Sequence, residues 1–238
     1  LLQFCAGAHR VCAQLSRLWG FRLTTRAGRQ GCPLFTKEVM MKLYYAPGAC
    51  SLASHIALQE AGQPFQIEKT DLRAKTTETG ADFTKVNPRG AVPALALDSG
   101  DVLTEGVAIM QYVADNAGGT SAQGSLARAR LHEALNYVSA EVHKTYSPFF
   151  GPLSAEARSK QVDLLNARLS VIEAKLADGR AWLTGSDYTP ADGYLFTVTN
   201  WSKPIGHDLS AFPQIEALRG RIAARPAVQA AMKAEGLI

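Results

Sequence analysis

The sequence predicts an α/β domain followed by an all-helical domain, and three observations carry that prediction. Strand-like and helix-like segments alternate from residue 41 to about residue 116; strand signals stop after Ala117-Gly118-Gly119-Thr120; apolar residues then recur only at helical spacing. The 238 residues, 47% hydrophobic and 19% charged, can bury a sizeable core as one large or two ordinary domains. The expected organisation is an N-terminal extension over residues 1–40, an α/β domain over 41–117 and an all-helical domain over 122–238.

Lys42-Leu43-Tyr44-Tyr45 reads as a strand entering a Pro47-Gly48 turn, and residues 51–61 as a helix closed by Gly62. Residues 65–69 alternate as a strand. Residues 92–97 and 102–104 flank Asp98-Ser99-Gly100-Asp101 and read as a hairpin, and residues 106–116 as a helix with Val107, Met110 and Val113 on one face. This βαβ…ββα order implies a small mixed sheet covered by helices. Further on, Leu131, Leu135, Val138 and Val142 fall at helical spacing, as do Val162, Leu165, Leu169, Ile172 and Leu176, with Pro148, Gly151 and Pro152 between the two runs. More helices are expected over residues 190–201, around 213–223 and from 227 to 234. Thr189-Pro190-Ala191-Asp192 is a capping box with proline at the first helical position, a structural device that sends Tyr194, Leu195, Val198 and Trp201 into the helical core.

The net charge is +4, yet residues 1–40 hold Arg10, Arg17, Arg22, Arg26, Arg29 and Lys37 against Glu38 alone. The rest of the chain is therefore close to neutral, which gives no reason to expect a nucleic-acid partner. No stretch approaches the ~20 apolar residues of a membrane span. The extension also carries Cys5, Cys12 and Cys32, and Met40-Met41 stands immediately before the first strand. Its composition fits an Arg-rich, acid-poor targeting peptide or upstream sequence foreign to the natural protein, and it is expected to be disordered or not native. With it set aside, Cys50 is the single cysteine; it cannot form an internal disulfide and fits a reducing, cytoplasmic setting.

Cys50 stands where the helix of residues 51–61 should begin. First-turn N–H groups without intrahelical partners, and the partial positive charge there, favour a thiolate of the cysteine or of a ligand beside it. A small buried cysteine at a strand–helix junction is the structural alternative. Pro93, at the first residue of a strand, is compatible with a cis peptide, and Val92 offers its N–H and C=O to an extended peptide. Glu105 and Gly106 open a helix whose free N–H groups suit a carboxylate, while the glutamate suits an ammonium; together they suit an amino-acid end, with simple dipole complementation as the alternative. Lys75 can meet a second carboxylate or stay solvated. Asn136, Ala140, His143, Lys144 and Ser147 recur at helical spacing, either as a solvated face or as a wall that supplies hydrogen bonds across a cleft. Cys50, His55, His132, His143 and His207 show no metal-ligand spacing, and no Gly-rich phosphate loop is present.

Five stretches in this order resemble the glutathione S-transferases, specifically the bacterial beta class. They are Lys42-Leu43-Tyr44-Tyr45-Ala46-Pro47-Gly48-Ala49-Cys50-Ser51, Val86-Asn87-Pro88-Arg89-Gly90-Ala91-Val92-Pro93-Ala94-Leu95, Leu103-Thr104-Glu105-Gly106-Val107-Ala108-Ile109, Leu135-Asn136-Tyr137 with Glu141-Val142-His143-Lys144, and Thr189-Pro190-Ala191-Asp192. The resemblance spans residues 41–238. It implies a thioredoxin-like N-terminal domain joined to an all-α domain, usually as a homodimer. It also implies a detoxifying enzyme that adds glutathione, a co-substrate and not a cofactor, to small electrophilic, apolar molecules, without metal, nucleic acid or membrane. By the same resemblance Cys50 faces the glutathione sulfur and can form a mixed disulfide with it, Ser51 and His143 being the other groups able to control the thiolate. Lys75 meets the glycyl carboxylate, Val92 before a cis Pro93 pairs with the cysteinyl backbone, and Glu105 and Gly106 hold the γ-glutamyl end. Asn136, Ala140, Glu141, Val142, His143 and Lys144 form the helical wall, and Tyr45, Phe149, Phe150 and Trp201 are candidates for the electrophile side.

Cys50-Ser51-Leu52-Ala53 lacks the second thiol of a dithiol oxidoreductase. A glutathione-dependent thiol-disulfide or peroxide reductase working through Cys50 remains an alternative to conjugation, and a non-catalytic interaction module is a further one.

Overall fold

In a computed structural model the described residues are 41–119 and 122–238. The extension over residues 1–40 and the junction residues 120 and 121 lie outside them. Strand β1 (Met41–Tyr45) leads into helix α1 (Ser51–Ala61), which returns the chain to a parallel neighbour, β2 (Phe65–Asp71). A parallel pair needs such a crossover, and the helix supplies it. A two-residue strand β3 (Thr76–Thr77) then pairs antiparallel with the end of β2. The hairpin β4 (Ala94–Ala96) and β5 (Val102–Thr104) completes a five-stranded sheet of order β3-β2-β1-β4-β5. Leu43 at its centre faces Ile67 on β2 and Leu95 on β4.

The expected strands are all present, Val102–Thr104 with the expected ends and the others with shifted ones. β1 starts one residue earlier and β2 runs to Asp71, while the strand expected from residue 92 begins only at Ala94 because Pro93 lacks the donor a ladder needs. The pair β2/β3 was not expected, since two residues carry no readable alternation.

Helix α2 (Gly106–Asn116) lies on the sheet beside α1. The helical part comprises α3 (Leu126–Tyr137), α4 (Ala155–Leu176), α5 (Pro190–Thr199), α6 (Pro213–Ala223) and α7 (Pro226–Ala234). The helix expected to run to Trp201 turns into a 3₁₀ stretch at Asn200–Ser202. After Tyr137 the α3 chain passes into a π-helical stretch, Val138–His143, before one more α-turn, Lys144–Tyr146.

Helix α1 explains how the parts cohere. Every residue from Ser51 to Leu58 is buried, because the sheet and α2 cover one side while α5 and α7 cover the other. A helix surrounded in this way has no solvent face to keep polar. One apolar core runs from Leu43 and Leu95 through Ile56 to Leu195, Val198 and Ile222. Gly193 permits the close approach of α5: a Cβ there would sit 2.6 Å from the Tyr188 hydroxyl and 3.3 Å from Ile56 Cγ2.

The capping box of α5 forms as expected. Asp192 is fully buried and accepts the Thr189 N–H at 2.8 Å, the Thr189 hydroxyl at 3.0 Å and the Leu183 N–H at 2.7 Å. Burial pushes its carboxyl up to about 6, against the pull of those donors.

Candidate functional site

The turn between β1 and α1 carries Cys50, and it is gripped from far along the chain. Gly48 adopts φ +68°, donates its N–H to Glu235 Oε2 at 2.9 Å and accepts the Trp201 Nε1–H on its carbonyl at 2.8 Å. Glu235 reaches His55 Nδ1 with its other oxygen at 2.9 Å, and both side chains are buried. The residues on either side of Cys50 are thus tied to α1, α7 and the 3₁₀ turn after α5.

Cys50 occupies the N-cap of α1. Its Sγ lies 3.3 Å from the Val92 carbonyl, to which the thiol donates. Burial pushes the thiol up to about 11; backbone N–H groups of Cys50 and Ser51 pull the other way, as does Lys144, while Glu105 reinforces the rise. The helix N-terminus was expected to favour the thiolate. The structure corrects that for Cys50, because at this depth desolvation exceeds the pull of the first-turn N–H groups. Burial thus keeps Cys50 predominantly a thiol at pH 8. Alkylation by iodoacetamide should accordingly be slow at pH 7–8 and accelerate toward pH 11; a rate that already plateaus near pH 8 would contradict this.

The cleft beside Cys50 holds about 270 Å³. Its sheet side is made by Asn87, Arg89, Ala91, Val92, Pro93, Thr104, Glu105 and Gly106, and its helical side by Ser139, His143, Lys144 and Tyr194. The Val92–Pro93 peptide is cis. Glu105, the N-cap of α2, has φ +67°. Its carboxylate meets Arg89 Nη2 at 2.6 Å.

Of the expected residues, the cleft brings together Cys50, Val92, Pro93, Glu105, Gly106, His143 and Lys144. Others stand elsewhere. Ser51 is fully buried, donating to the Ala46 carbonyl and accepting the Ala46 N–H, both at 3.2 Å, so its hydroxyl closes the turn instead of entering the cleft. Tyr45 is a core residue whose ring lies 6.1 Å from that of His55, because alternation along β1 turns it inward. Lys75, in a left-handed conformation at φ +57°, donates to the Gly90 carbonyl at 2.8 Å and braces the loop behind Val92.

On the helical wall the π stretch changes the outcome. The π stretch shifts the phase of the residues after Tyr137, and the stripe expected at α-helical spacing divides there. Asn136 is exposed and donates to its own helix at the His132 carbonyl, and Ala140 is exposed. Glu141 turns to Arg168 on α4 at 2.8 Å, and Val142 is in the core. Ser139 takes the cleft position instead.

Six cleft residues escaped sequence reasoning: Asn87, Arg89, Ala91, Thr104, Ser139 and Tyr194. Tyr194 was expected in the core; its ring is buried, but its hydroxyl emerges at the cleft 2.7 Å from His143 Nδ1. Burial, with Lys144 beside it, pushes His143 down to about 4, so this imidazole is neutral at physiological pH, and burial raises the Tyr194 phenol to about 12. Beyond His143 the Trp201 ring follows at 4.9 Å, and Phe150, 59% exposed, stands edge-on to Trp201 at 5.5 Å. Phe149 is buried against the core. Among the described residues no group of three or more His, Cys, Asp and Glu converges as a metal site, and no helix is long and apolar enough to cross a membrane.

The chain matches the family model of the glutathione S-transferase N-terminal domain over residues 48–116 and that of the C-terminal domain over residues 137–226. It is 45% identical over 201 residues to glutathione S-transferase GstA of Escherichia coli O157:H7, a match covering 83% of this chain and 100% of that protein. A sphingomonad glutathione S-transferase solved with glutathione aligns with TM-score 0.78 at 46% identity, covering 83% of this chain and 100% of the other. A bacterial beta class glutathione S-transferase from Sphingomonas chungbukensis aligns with TM-score 0.78 at 45% identity and the same coverage.

Proposed function

Since the chain belongs to the glutathione S-transferase family, we propose how its cleft carries out glutathione conjugation: the glutathione thiolate lies beside Cys50 and attacks an electrophilic, largely apolar molecule held against the helical wall. The observation that carries this reading is the placement of Cys50 in the cleft: its thiol donates to the Val92 carbonyl at 3.3 Å opposite His143 and Lys144, and burial favours the thiol as a hydrogen-bond donor over the thiolate nucleophile. An extended peptide pairing with Val92 takes over its carbonyl, which frees the Cys50 S–H to donate to the incoming sulfur. Lys144 adds positive charge beside that sulfur. Glu105 receives the γ-glutamyl ammonium, and the N–H groups opening α2 from Gly106 suit a carboxylate. The exposed edge of Phe150, with Trp201 and His143 behind it, offers an aromatic electrophile a place to stack. Holding thiolate and electrophile in contact, with a lowered ligand thiol pKa, supplies the acceleration; in an aromatic substitution the sulfur–carbon bond forms as halide leaves.

Turnover of glutathione with a generic aromatic halide tests the reading, and absence of both turnover and glutathione binding would sink it. Replacing Cys50 by alanine is expected to leave conjugation within about tenfold, because one hydrogen bond to a charged group is lost and no nucleophile is. The thiol-disulfide reductase reading predicts complete loss of that reductase activity in the same variant. A homodimer is the expected state in solution, read by light scattering.

A further inference from the structure

We infer that Arg89 is a specificity-determining residue: its guanidinium takes the α-carboxylate of the ligand's γ-glutamyl end while holding Glu105 ready for the adjacent ammonium. This rests on the glutathione reading of the cleft given above. Arg89 and Glu105 both line that cleft, and Nη2 of Arg89 lies 2.6 Å from Glu105 Oε1 and 3.3 Å from Thr104 Oγ1. Nη1 and Nε donate to no other group among the described residues, so the planar fork keeps donors for a carboxylate while remaining on Glu105.

The backbone beneath Arg89 is fixed. Its N–H donates to Asn87 Oδ1 at 3.1 Å, the buried Asn87 side chain donates to the Ala91 carbonyl at 2.6 Å, and the Gly90 N–H returns to the Asn87 carbonyl at 2.7 Å. Gly90 itself is left-handed at φ +58°, a conformation glycine adopts without penalty. The Arg89 side chain, 63% exposed, can then follow a ligand from a rigid base. Neither other cation stands at Glu105: Lys75 donates to the Gly90 carbonyl, and Lys144 belongs to the helical wall beside His143.

The chemistry selects a zwitterion. A lone carboxylate at Glu105 would accept any amine. With a guanidinium already on Glu105, an amine without a neighbouring carboxylate competes with Arg89 and returns nothing to it. A ligand whose ammonium and carboxylate share one carbon satisfies both members and closes a four-charge ring. Because the pair is solvent-exposed, its discrimination is modest, on the order of tenfold.

The test compares three ligands by titration calorimetry on the full chain: glutathione, 4-aminobutyryl-cysteinylglycine (lacking the α-carboxylate) and the glycyl ethyl ester of glutathione. The unmutated protein is expected to prefer glutathione over the 4-aminobutyryl analogue by about tenfold. Arg89→Ala should lose most of that preference, the N–H groups opening α2 keeping the remainder, while retaining the unmutated protein's ratio for the glycyl ester, and Arg89→Lys should regain part of it. A merely structural role would weaken all three ligands together. If Arg89→Ala discriminates against the 4-aminobutyryl analogue as strongly as the unmutated protein, or instead stops discriminating at the glycyl end, the assignment is overturned with the glutathione reading intact. If the unmutated protein binds no glutathione, both fall together.

Discussion

Asp192→Ala is expected to lower the unfolding free energy by about 3–5 kcal/mol, and the melting temperature on the order of 10 °C, in differential scanning calorimetry. Alanine cannot accept any of the three bonds now made to this carboxylate, so the Thr189 N–H, the Thr189 hydroxyl and the Leu183 N–H are left without it in a buried site. One of the Thr189 bonds also starts α5, which packs on α1 and carries Tyr194 to the cleft. The same residue predicts a pH dependence. Its carboxyl titrates near 6 when folded against 3.8 in an ordinary setting. Between those values the folded protein holds a proton that the unfolded chain releases, so this group's contribution to stability falls as pH rises from about 4 to 6 and is level above. Asp192→Asn should remove that slope. A variant that melts with the unchanged pH profile would show that another group is responsible.

Glu235→Ala should have a comparable effect by a different route, about 3–5 kcal/mol. The carboxylate satisfies two buried partners at once, the Gly48 N–H and His55 Nδ1. His55 Nε2 already lacks a partner, so removing Glu235 would leave the whole imidazole unpaired in the core. The loss should also reach the cleft, because Gly48 precedes Cys50 by two residues and sets where α1 begins. KM for glutathione is therefore expected to rise along with the fall in melting temperature, whereas a surface variant of equal instability would change only the latter. Glu235→Gln keeps one carbonyl acceptor for two partners and should fall between. A chain stopping at Ala234 should behave as Glu235→Ala; normal stability in that truncation would refute the role assigned to the carboxylate.

The parts of the molecule legible in the sequence are those where a local rule acts alone. Residues 51–61 are bounded by a turn and a terminating Gly62 at φ +62°, and 106–116 by the hairpin before them; both helices end where the sequence placed them. The Thr189–Asp192 box names its own geometry, and Pro93 marks the strand entry within one residue. The helical wall was less legible because Val138–His143 leaves the 3.6-residue period that sequence spacing assumes, while Asn136, before that stretch, gives its amide to its own helix. His143 and Lys144 still reach the cleft, whereas Asn136, Ala140, Glu141 and Val142 do not. Tyr194 could not be told from its core neighbours, since a tyrosine with a buried ring and a cleft-facing hydroxyl looks the same in sequence as one wholly inside. Arg89 is an exposed arginine in a turn, and only its distance to Glu105 distinguishes it from an ordinary solvated one. The direction of the Cys50 shift was hidden for a related reason: the N-terminal position on a helix can be read from sequence, but the depth that outweighs it cannot.

The Gly48 turn also has a history in time. Its two clamps, Trp201 and Glu235, lie 153 and 187 residues further along the chain. At about 5–20 residues per second, the ribosome delivers the second clamp roughly 10–40 s after the turn itself. For most of that interval the nascent α1 has neither α5 nor α7 to bury its apolar sides, and α7 arrives only at its end. The cleft is therefore among the last features to form during synthesis, and a stalled or prematurely released chain would present an open, sticky α1 to the chaperones that patrol newly made proteins.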